Sequence, residues 1–273
     1  MFFGDLLISS YMLVALNAPS IFPLRDTTLA EPQITAQSAL IFDIKRGRVL
    51  FEKASDRVMP LASLTKLLSS MVVLDSIPLD KVITLDQKAI DTLGDAGDFR
   101  VGEKVEVRHL LFSALIQSSN DAMMGLAYDL GLENFLSLMR SKLIQLGLKE
   151  TSISDSAGLS GQTKSSAREF VKIARATFQN DFITQILAIP EYNFRSASGY
   201  QHKLVSTNNL IFDSRIIAAK TGFLNEVGQN YAALVNIEGS KEGRLLLIIM
   251  GSIDRTRDAK TLLNWLEKGF LWK

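Results

Sequence analysis

Apolar residues run together near both ends of the chain, and these runs predict strands. The segment SALIFDIKRGRVLFEKAS indicates two strands, 38–43 and 48–53, around a turn at KRG. Three further β-rich runs, RIIAAKTG, NYAALVNIEGS and RLLLIIMGS, follow one another between residues 215 and 252. The last segment, RDAKTLLNWLEKGFL, predicts a closing helix. We expect these outer segments to form one antiparallel sheet with flanking helices.

The middle of the chain has apolar residues at helical spacing instead. MPLASLTKLLSSMVVLD predicts a buried helix from Leu61 onward. Further helices are predicted at EVRHLLFSALIQSS, NDAMMGLAYDL, LENFLSLMRSKLIQLG and SAREFVKIARATFQ. The expected fold class is therefore α/β in the α+β sense: an antiparallel sheet with flanking helices plus an inserted, mainly helical lobe over about residues 61–210. A cleft is expected between the two lobes.

The first 33 residues differ from the rest. They are apolar from Leu6 to Leu16 apart from two serines, which is shorter than the roughly 20 residues of a membrane-spanning helix. The run suits the apolar region of a signal peptide, although Asp5 is acidic and no basic residue precedes it. We expect an export signal or an uncleaved anchor in residues 1–33, with a buried helix as the alternative. The folded domain, 34–273, is expected to begin near Ile34.

Composition excludes several kinds of chemistry. Lys+Arg is 30 and Asp+Glu is 29, so the net charge of +1 gives no reason to expect nucleic acid as a partner. The chain has no cysteine, which rules out disulfides, cysteine-bound zinc and thiol nucleophiles. Its two histidines, His109 and His202, are too few for a histidine-rich metal site, and we expect no metal. A surface or capping role is expected for both histidines.

One lysine stands among leucines in the first predicted helix. Ser63 and Lys66 are three residues apart, so they share a helix face and their side chains can touch. A serine hydroxyl is a weak nucleophile until a base takes its proton. A lysine can be that base when burial and neighbouring positive charge lower its pKa. Because S-x-x-K also occurs by chance, this pair is a candidate only together with other motifs.

A second motif, Ser118-Ser119-Asn120, lies between two predicted helices. Serine and asparagine are common helix caps, which is the structural alternative. In the functional interpretation Ser118 relays a proton to the leaving group, and Asn120 donates a hydrogen bond to the substrate.

A third motif, Lys220-Thr221-Gly222, ends the apolar run RIIAA. An ordinary strand end is the alternative. In the functional interpretation Lys220 adds positive field, Thr221 binds a carboxylate, and Gly222 lets the substrate lie close to the backbone.

S-x-x-K, S-x-N and K-T-G in this order form the signature set of penicillin-binding proteins and class A β-lactamases. The chain resembles the D-alanyl-D-alanine carboxypeptidases, the low-molecular-mass penicillin-binding proteins of peptidase family S11, over about Ser38 to Phe270. Similar segments include VGEKVEVRHLLFSALIQSSNDA, DSAGLSGQTKSSAREFVKIA, STNNLI and AAKTGFLNEVGQNYAAL. The chain departs from many relatives at Ser119, where they have glycine. It also has no counterpart of the larger members' C-terminal β-domain and anchor, so any membrane attachment is expected at the N-terminus.

The resemblance implies a β-lactamase/transpeptidase-like fold and acyl transfer that needs no metal or cofactor. Ser63 would attack the D-Ala-D-Ala peptide bond with Lys66 as base, and backbone N–H groups of Ser63 and Phe223 would form the oxyanion hole. The implied substrates are peptidoglycan stem peptides ending in D-Ala-D-Ala, and β-lactams are implied as covalent inhibitors. The implied location is the periplasm or the outer face of a bacterial cytoplasmic membrane.

Relatives carry a carboxylate-binding arginine before the closing helix, in the region of MGSIDRTRDAK. Arg255 is the first choice and Arg257 the reserve, because Arg257 lies nearer the helix. The preceding strand, RLLLII, is expected beside the strand of Lys220. The alternative is that both arginines are surface charges.

Three other functions remain open. A DD-endopeptidase, which cuts peptidoglycan crosslinks, would use the same site. A β-lactamase shares the motifs, but no E-x-x-L-N segment appears between Ser118 and Lys220. A non-enzymatic scaffold is disfavoured because all three motifs are intact.

Overall fold

The computed structural model describes residues 24–94, 97–237 and 244–271. Its strands in chain order are β1 (Leu24–Arg25), β2 (Ser38–Asp43), β3 (Arg48–Lys53), β4 (Met59–Pro60), β5 (Val82–Thr84), β6 (Lys104–Glu106), β7 (Lys164–Ser165), β8 (Glu191–Arg195), β9 (Gln201–Val205), β10 (Ile216–Leu224), β11 (Gly228–Asn236), β12 (Arg244–Ser252) and β13 (Phe270–Leu271). Its helices are α1 (Thr65–Ser76), α2 (Gln87–Ile90), α3 (Val107–Phe112), α4 (Asn120–Asp129), α5 (Leu132–Gln145), α6 (Ala167–Phe178), α7 (Asp181–Leu187) and α8 (Arg255–Gly269). A 3₁₀ turn at Ala62–Leu64 precedes α1, and a π-helical turn at Ser113–Gln117 follows α3.

The main sheet is antiparallel, with the strand order β10-β11-β12-β2-β3. Strands from both ends of the chain therefore form one sheet, as predicted. The expected neighbour of the Lys220 strand is wrong: β12, which contains RLLLII, pairs with β11 and β2, not with β10. The three C-terminal strands are joined in sequence, and consecutive strands of such a meander lie side by side. This order leaves β10 at an edge of the sheet.

Strand β12 is apolar without interruption because both faces of the sheet are covered. Leu245, Leu247 and Ile249 belong to the core that includes α8 residues such as Leu262 and Trp265. The alternate residues of β12 belong to the larger core shared with the helical lobe, and they are Leu246, Ile248 and Met250. Side chains alternate between the faces of a strand, so this one run contributes to both cores.

The helical lobe is inserted between β3 and β10, as predicted. The sequence did not predict α7 or the hairpin β8–β9, whose strands pair from Glu191–Val205 to Arg195–Gln201. In this hairpin mostly charged and polar residues alternate with buried ones such as Phe194 and Leu204. A strand with so few apolar residues gives a weak sequence signal.

The folded chain begins before Ile34. Strand β1 pairs with β13, and the backbone N–H of Asp26 donates to Gly269 O at 2.8 Å. The expected signal or anchor falls largely on residues 1–23, which lie outside the described residues. Within the described ranges, no helix has the length and apolar character needed to cross a membrane.

The expected surface role of the histidines is wrong. His202 is buried, and its Nε2 lies 2.7 Å from Oε1 of the buried Glu103. Phe194 stacks between His202 and the half-buried His109, with ring centroids 4.8 Å and 4.4 Å away. Both imidazoles therefore belong to an aromatic stack inside the helical lobe.

Candidate active site

A cavity of about 210 Å³ lies between the edge strand β10 and the helical lobe. This is the cleft that the sequence predicted. Its lining residues are Ser63, Gly94, Ser118, Asn120, Gly158, Leu159, Thr207, Thr221, Gly222, Phe223, Leu224 and Arg255. The two lysines of the motifs, Lys66 and Lys220, lie beneath this wall and are 0% and 1% exposed.

Lys66 is held by three oxygen atoms. Its Nζ lies 2.9 Å from Ser63 Oγ, 2.7 Å from Asn120 Oδ1 and 2.9 Å from Ala157 O. The amide and carbonyl oxygens can only accept hydrogen bonds, whereas the serine hydroxyl can also donate. The two acceptors can each take one N–H of the Lys66 amine, while the third contact joins Nζ to the Ser63 hydroxyl.

A tight turn presents Ser63 at the start of α1. Ala62 has a positive φ of 51°, and its carbonyl oxygen accepts a hydrogen bond from Thr65 Oγ1 at 2.7 Å. Gly158 packs directly on this turn: a Cβ at that position would lie 1.8 Å from Ala62 O. Only glycine fits there, and its φ of +80° also favours glycine.

The buried Asn230 on β11 connects the same turn to the sheet through hydrogen bonds. Its Nδ2 donates to Pro60 O at 3.0 Å and to Leu61 O at 3.1 Å, and its Oδ1 accepts from Gly251 N at 2.8 Å. The sequence motifs do not include this residue. A polar side chain within the β-rich run NYAALVNIEGS is the feature that could have indicated it.

Ser118 and Lys220 meet across the cleft. Ser118 ends the π-helical turn in the left-handed region, at φ +67°, and its Oγ accepts a hydrogen bond from Lys220 Nζ at 2.8 Å. The same ammonium donates to Thr221 O at 3.0 Å. A non-glycine residue in this conformation is uncommon and is found most often at functional sites.

Ser119 has the capping role that was the structural alternative for the second motif, whereas Asn120 binds Lys66. Ser119 Oγ caps α4 by accepting from Ala122 N at 3.1 Å. Asn120 accepts from Lys66, and its Nδ2 donates to Leu93 O at 2.9 Å. Asn120 thus connects the lysine to the loop at the cavity rim, a connection that the sequence did not predict.

The edge strand β10 runs close beside Ser63. A Cβ at Gly222 would lie 3.2 Å from Ser63 N, so this glycine permits the close approach. Phe223 follows with a side chain that is 57% exposed at the cavity wall. Ser63 and Phe223, whose N–H groups are the expected oxyanion hole, both line the cavity.

Arg255 also reaches the cavity. It is the first residue of α8, and its Nη1 donates to Gly222 O at 3.0 Å. Burial lowers the pKa of its guanidinium from the ordinary value, and nearby Tyr231 and Asp254 oppose that effect. Arg257 is exposed and does not line the cavity.

A loop that the motifs do not include supports Lys66 from the other side. Asp155 accepts hydrogen bonds from the backbone N–H groups of Ala157 and Leu159 and from Thr163 Oγ1. This turns the Ala157 carbonyl toward Lys66. The segment DSAGLSG was noticed only through the resemblance, because its long-range partner leaves no mark in local sequence.

Comparisons with known proteins identify the family of this chain. A family model described as D-alanyl-D-alanine carboxypeptidase matches residues 25–253. The chain is 34% identical over 247 residues to a D-alanyl-D-alanine endopeptidase of Pseudomonas aeruginosa, covering 88% of this chain and 79% of that protein. It is 30% identical over 251 residues to a D-alanyl-D-alanine endopeptidase of Escherichia coli strain K12, covering 89% of this chain and 81% of that protein.

A solved structure has the same fold. The D-alanyl-D-alanine carboxypeptidase of Mycobacterium tuberculosis superposes with a TM-score of 0.80 at 26% identity, over 88% of this chain and 94% of that one. The family model covers most of the chain. The chain therefore belongs to the D-alanyl-D-alanine carboxypeptidase family, peptidase family S11, whose members are serine-type hydrolases.

Proposed function

We propose that this chain removes the terminal D-Ala from peptidoglycan stem peptides through an acyl-enzyme on Ser63. The observation that carries the proposal is the position of Lys66 Nζ, 2.9 Å from Ser63 Oγ and held by two obligate acceptors. A base placed within hydrogen-bond reach of the nucleophile is the first requirement of such a reaction.

In the first step, Ser63 Oγ attacks the carbonyl carbon of the D-Ala-D-Ala peptide bond, and Lys66 takes the hydroxyl proton. The negative charge that develops on the carbonyl oxygen is stabilised by the backbone N–H groups of Ser63 and Phe223. Loss of one such donor typically costs about 2.7–4 kcal/mol of transition-state stabilisation.

In the second step, the C–N bond breaks and D-Ala leaves as a neutral amine. The proton that Lys66 took from Ser63 reaches this amine through Ser118, which gives up its own hydroxyl proton and receives the one from Lys66. The contact between Ser118 Oγ and Lys220 Nζ supports this relay, because an ammonium beside the hydroxyl makes it a better proton donor. Water then hydrolyses the ester on Ser63 and regenerates the enzyme.

Arg255 supports carboxypeptidase activity in particular. A terminal D-Ala carries a free carboxylate, and a guanidinium at the cavity wall can bind it with charge-assisted hydrogen bonds. A crosslink need not present a carboxylate at the same position.

Endopeptidase activity on peptidoglycan crosslinks is the second candidate. It is favoured by the two relatives described above, both named D-alanyl-D-alanine endopeptidase. The chemistry at Ser63 would be the same, with a longer amine as the leaving group.

A β-lactam should acylate Ser63 in place of the peptide. The working location consistent with these substrates is the periplasm or the outer face of the cytoplasmic membrane, reached through an export signal or anchor in residues 1–33. Tracking the full-length protein in fractionated bacterial cells would test this location; recovery in the cytoplasm would contradict it.

Digestion of a muropeptide mixture tests the activity and separates the two candidates. A carboxypeptidase shortens uncrosslinked pentapeptides by one D-Ala, whereas an endopeptidase converts crosslinked dimers to monomers; mass spectrometry distinguishes the products. The Ser63→Ala variant should be inactive and should not be labelled by fluorescent penicillin. Ser70→Ala is the matched control, because Ser70 is buried in the same helix and bonds only to Leu67 O among the described residues.

A further inference from the structure

Two threonine hydroxyls share a short hydrogen bond at the cavity wall. Thr207 Oγ1 and Thr221 Oγ1 lie 2.6 Å apart, and both residues line the cavity that contains Ser63. Within the described part of the chain, neither hydroxyl has a second hydrogen-bond partner. Thr221 belongs to the third motif, but Thr207 belongs to none of the three.

The protons of the two hydroxyls determine which hydrogen bonds the pair can donate to a ligand. Each hydroxyl has one proton and two lone pairs. One of the two protons occupies the bond between the oxygens, so one O–H group remains available. A carboxylate only accepts hydrogen bonds, and it therefore selects the arrangement in which the remaining proton points toward it.

We propose that Thr207 donates its proton to Thr221 and thereby directs the Thr221 O–H to the free carboxylate of the substrate. Thr207 is then a positioning residue that determines specificity for a C-terminal carboxylate. This inference rests on the proposed function. Donation in sequence, from Thr207 to Thr221 to the carboxylate, also polarises the second O–H and strengthens its hydrogen bond.

Thr207 is well placed for this role because its segment is fixed on two sides. Its backbone N–H donates to Ile116 O at 3.2 Å, in the π-helical turn that ends at Ser118. The next residue, Asn208, uses its Oδ1 to accept from Leu210 N at 3.0 Å and from Tyr231 OH at 3.1 Å. Thr207 therefore joins the Ser118 turn to strand β10, where a displaced hydroxyl would misdirect Thr221.

Arg255 and the threonine pair provide different interactions. Arg255 contributes positive charge, and one of its N–H groups is already used by Gly222 O. The pair contributes a single directed O–H group at the same cavity wall. Together they would distinguish a carboxylate from an uncharged amide at the same position.

The test compares Thr207→Val, which keeps the shape of the side chain and removes its hydroxyl, with Thr207→Ser, which restores the hydroxyl. On an acyl-D-Ala-D-Ala peptide, Thr207→Val should raise KM about tenfold while kcat changes less than about twofold, since the Thr221 O–H loses the neutral hydrogen bond that orients and polarises it. Thr207→Ser should recover most of the affinity. On the analogue with a C-terminal amide, whose carbonyl oxygen accepts only a neutral hydrogen bond, the variants should differ from the parent clearly less than on the acid.

A double substitution examines whether Thr207 acts through Thr221. Because the two hydroxyls form one chain, Thr207→Val combined with Thr221→Val should be no worse than Thr221→Val alone. Additive losses, equal losses on acid and amide, or no rescue by Thr207→Ser would overturn the inference. Thr261→Val on α8 is the matched control, since Thr261 lies outside the cavity wall.

Activity and labelling of the parent test the proposed function, whereas KM of Thr207→Val tests the role of Thr207. If the parent neither hydrolyses the peptide nor is labelled by penicillin at Ser63, the proposed function fails. If the parent does both and Thr207→Val has the parent's KM, only the inference fails.

Discussion

Lys66 lies within hydrogen-bond distance of three oxygen atoms that differ in what they can do. Asn120 Oδ1 and Ala157 O are acceptors only, whereas Ser63 Oγ can give up a proton. The sequence placed a lysine among leucines, and the structure adds the two acceptors that orient its amine. These contacts support the proposed transfer of a proton from Ser63 to Lys66.

Replacing Lys66 with methionine should slow acylation by penicillin on the order of 10²–10⁴-fold, because general-base catalysis typically contributes that much. It should also lower the free energy of unfolding by about 1–3 kcal/mol, since two buried acceptors lose their donor. Stopped-flow labelling and urea denaturation measure the two effects. An acylation rate within a few-fold of the parent would contradict the base role. Increased stability would contradict the expected cost of leaving the two buried acceptors without a donor.

Arg255 and Arg257 provide a matched pair two residues apart. Arg255→Ala should raise KM for D-Ala-D-Ala peptides about 10–100-fold, equivalent to about 1.4–2.7 kcal/mol of charge-assisted hydrogen bonding. Arg257→Ala should leave KM within about twofold, as for other exposed charges. Steady-state kinetics on acid and amide substrates measure both variants. Equal losses on the two substrates would mean that Arg255 supports the fold and does not bind the carboxylate.

At the scale of elements, the start of α6 shows how one side chain secures a neighbouring loop. Ser166 and Glu169 have the spacing of a capping box, and Ser166 Oγ does cap the helix by accepting from Glu169 N at 3.2 Å. The Glu169 carboxylate instead accepts from the backbone N–H groups of Lys149, Glu150 and Thr151. Helix α6 thus holds the loop that follows α5.

Burial tends to raise the pKa of Glu169, but these hydrogen bonds outweigh it and lower the pKa below the ordinary value of 4.5. The unfolded chain then binds the proton more tightly than the folded chain. The contribution to stability is present above the unfolded pKa and is lost as the pH falls through the folded pKa.

We therefore predict that Glu169→Gln lowers the free energy of unfolding by about 1 kcal/mol at neutral pH, allowing for solvent screening. The difference from the parent should shrink as the pH falls from about 5 to about 3. Urea denaturation at several pH values measures it. Glu133→Gln removes an exposed carboxylate from α5 and serves as the control. A difference that stays constant with pH would show that the charge of Glu169 does not matter.

Elements with strong local patterns were predictable, and contacts between distant residues were not. The strands 38–43 and 48–53 have the predicted bounds because their apolar runs flank a clear turn. The order of β10, β11 and β12 follows from pairing between consecutive strands, whereas the prediction had placed RLLLII beside the strand of Lys220. Local sequence also gives no sign of Asn230 binding Leu61 O, or of His202 pairing with Glu103.

At the scale of the whole molecule, the site exists only where the two lobes meet. The helical lobe provides Ser63, Lys66 and Ser118, and strand β10 provides Lys220 and Thr221. Motif order in the sequence predicted that these residues act together, but the distances depend on the packing of the inserted lobe against the edge of the sheet. The contacts from Lys220 to Ser118 and from Thr207 to Thr221 both cross that boundary.

The composition of the cavity wall also separates a peptidase from a β-lactamase. A β-lactamase must hydrolyse its acyl-enzyme rapidly, and class A enzymes position the water with a glutamate. Among the described residues, no acidic side chain lines the cavity. The carboxylate of Asp155, three residues before the cavity-lining Gly158, is occupied by the N–H groups and the hydroxyl of its own loop.

We therefore predict that penicillin forms a long-lived adduct on Ser63. After excess penicillin is removed, intact-mass spectrometry should show the penicilloyl mass persisting for hours, while peptide hydrolysis stays blocked and returns only as the adduct decays. Hydrolysis of the peptide's acyl-enzyme is expected to be faster, because the leaving D-Ala diffuses away and water can enter. In the opened β-lactam, the leaving amine remains covalently attached to the acyl group beside Ser118. Ser63→Ala should show no adduct, and Ser70→Ala should behave like the parent. Rapid loss of the adduct, with turnover of penicillin as fast as that of peptide, would favour the β-lactamase alternative.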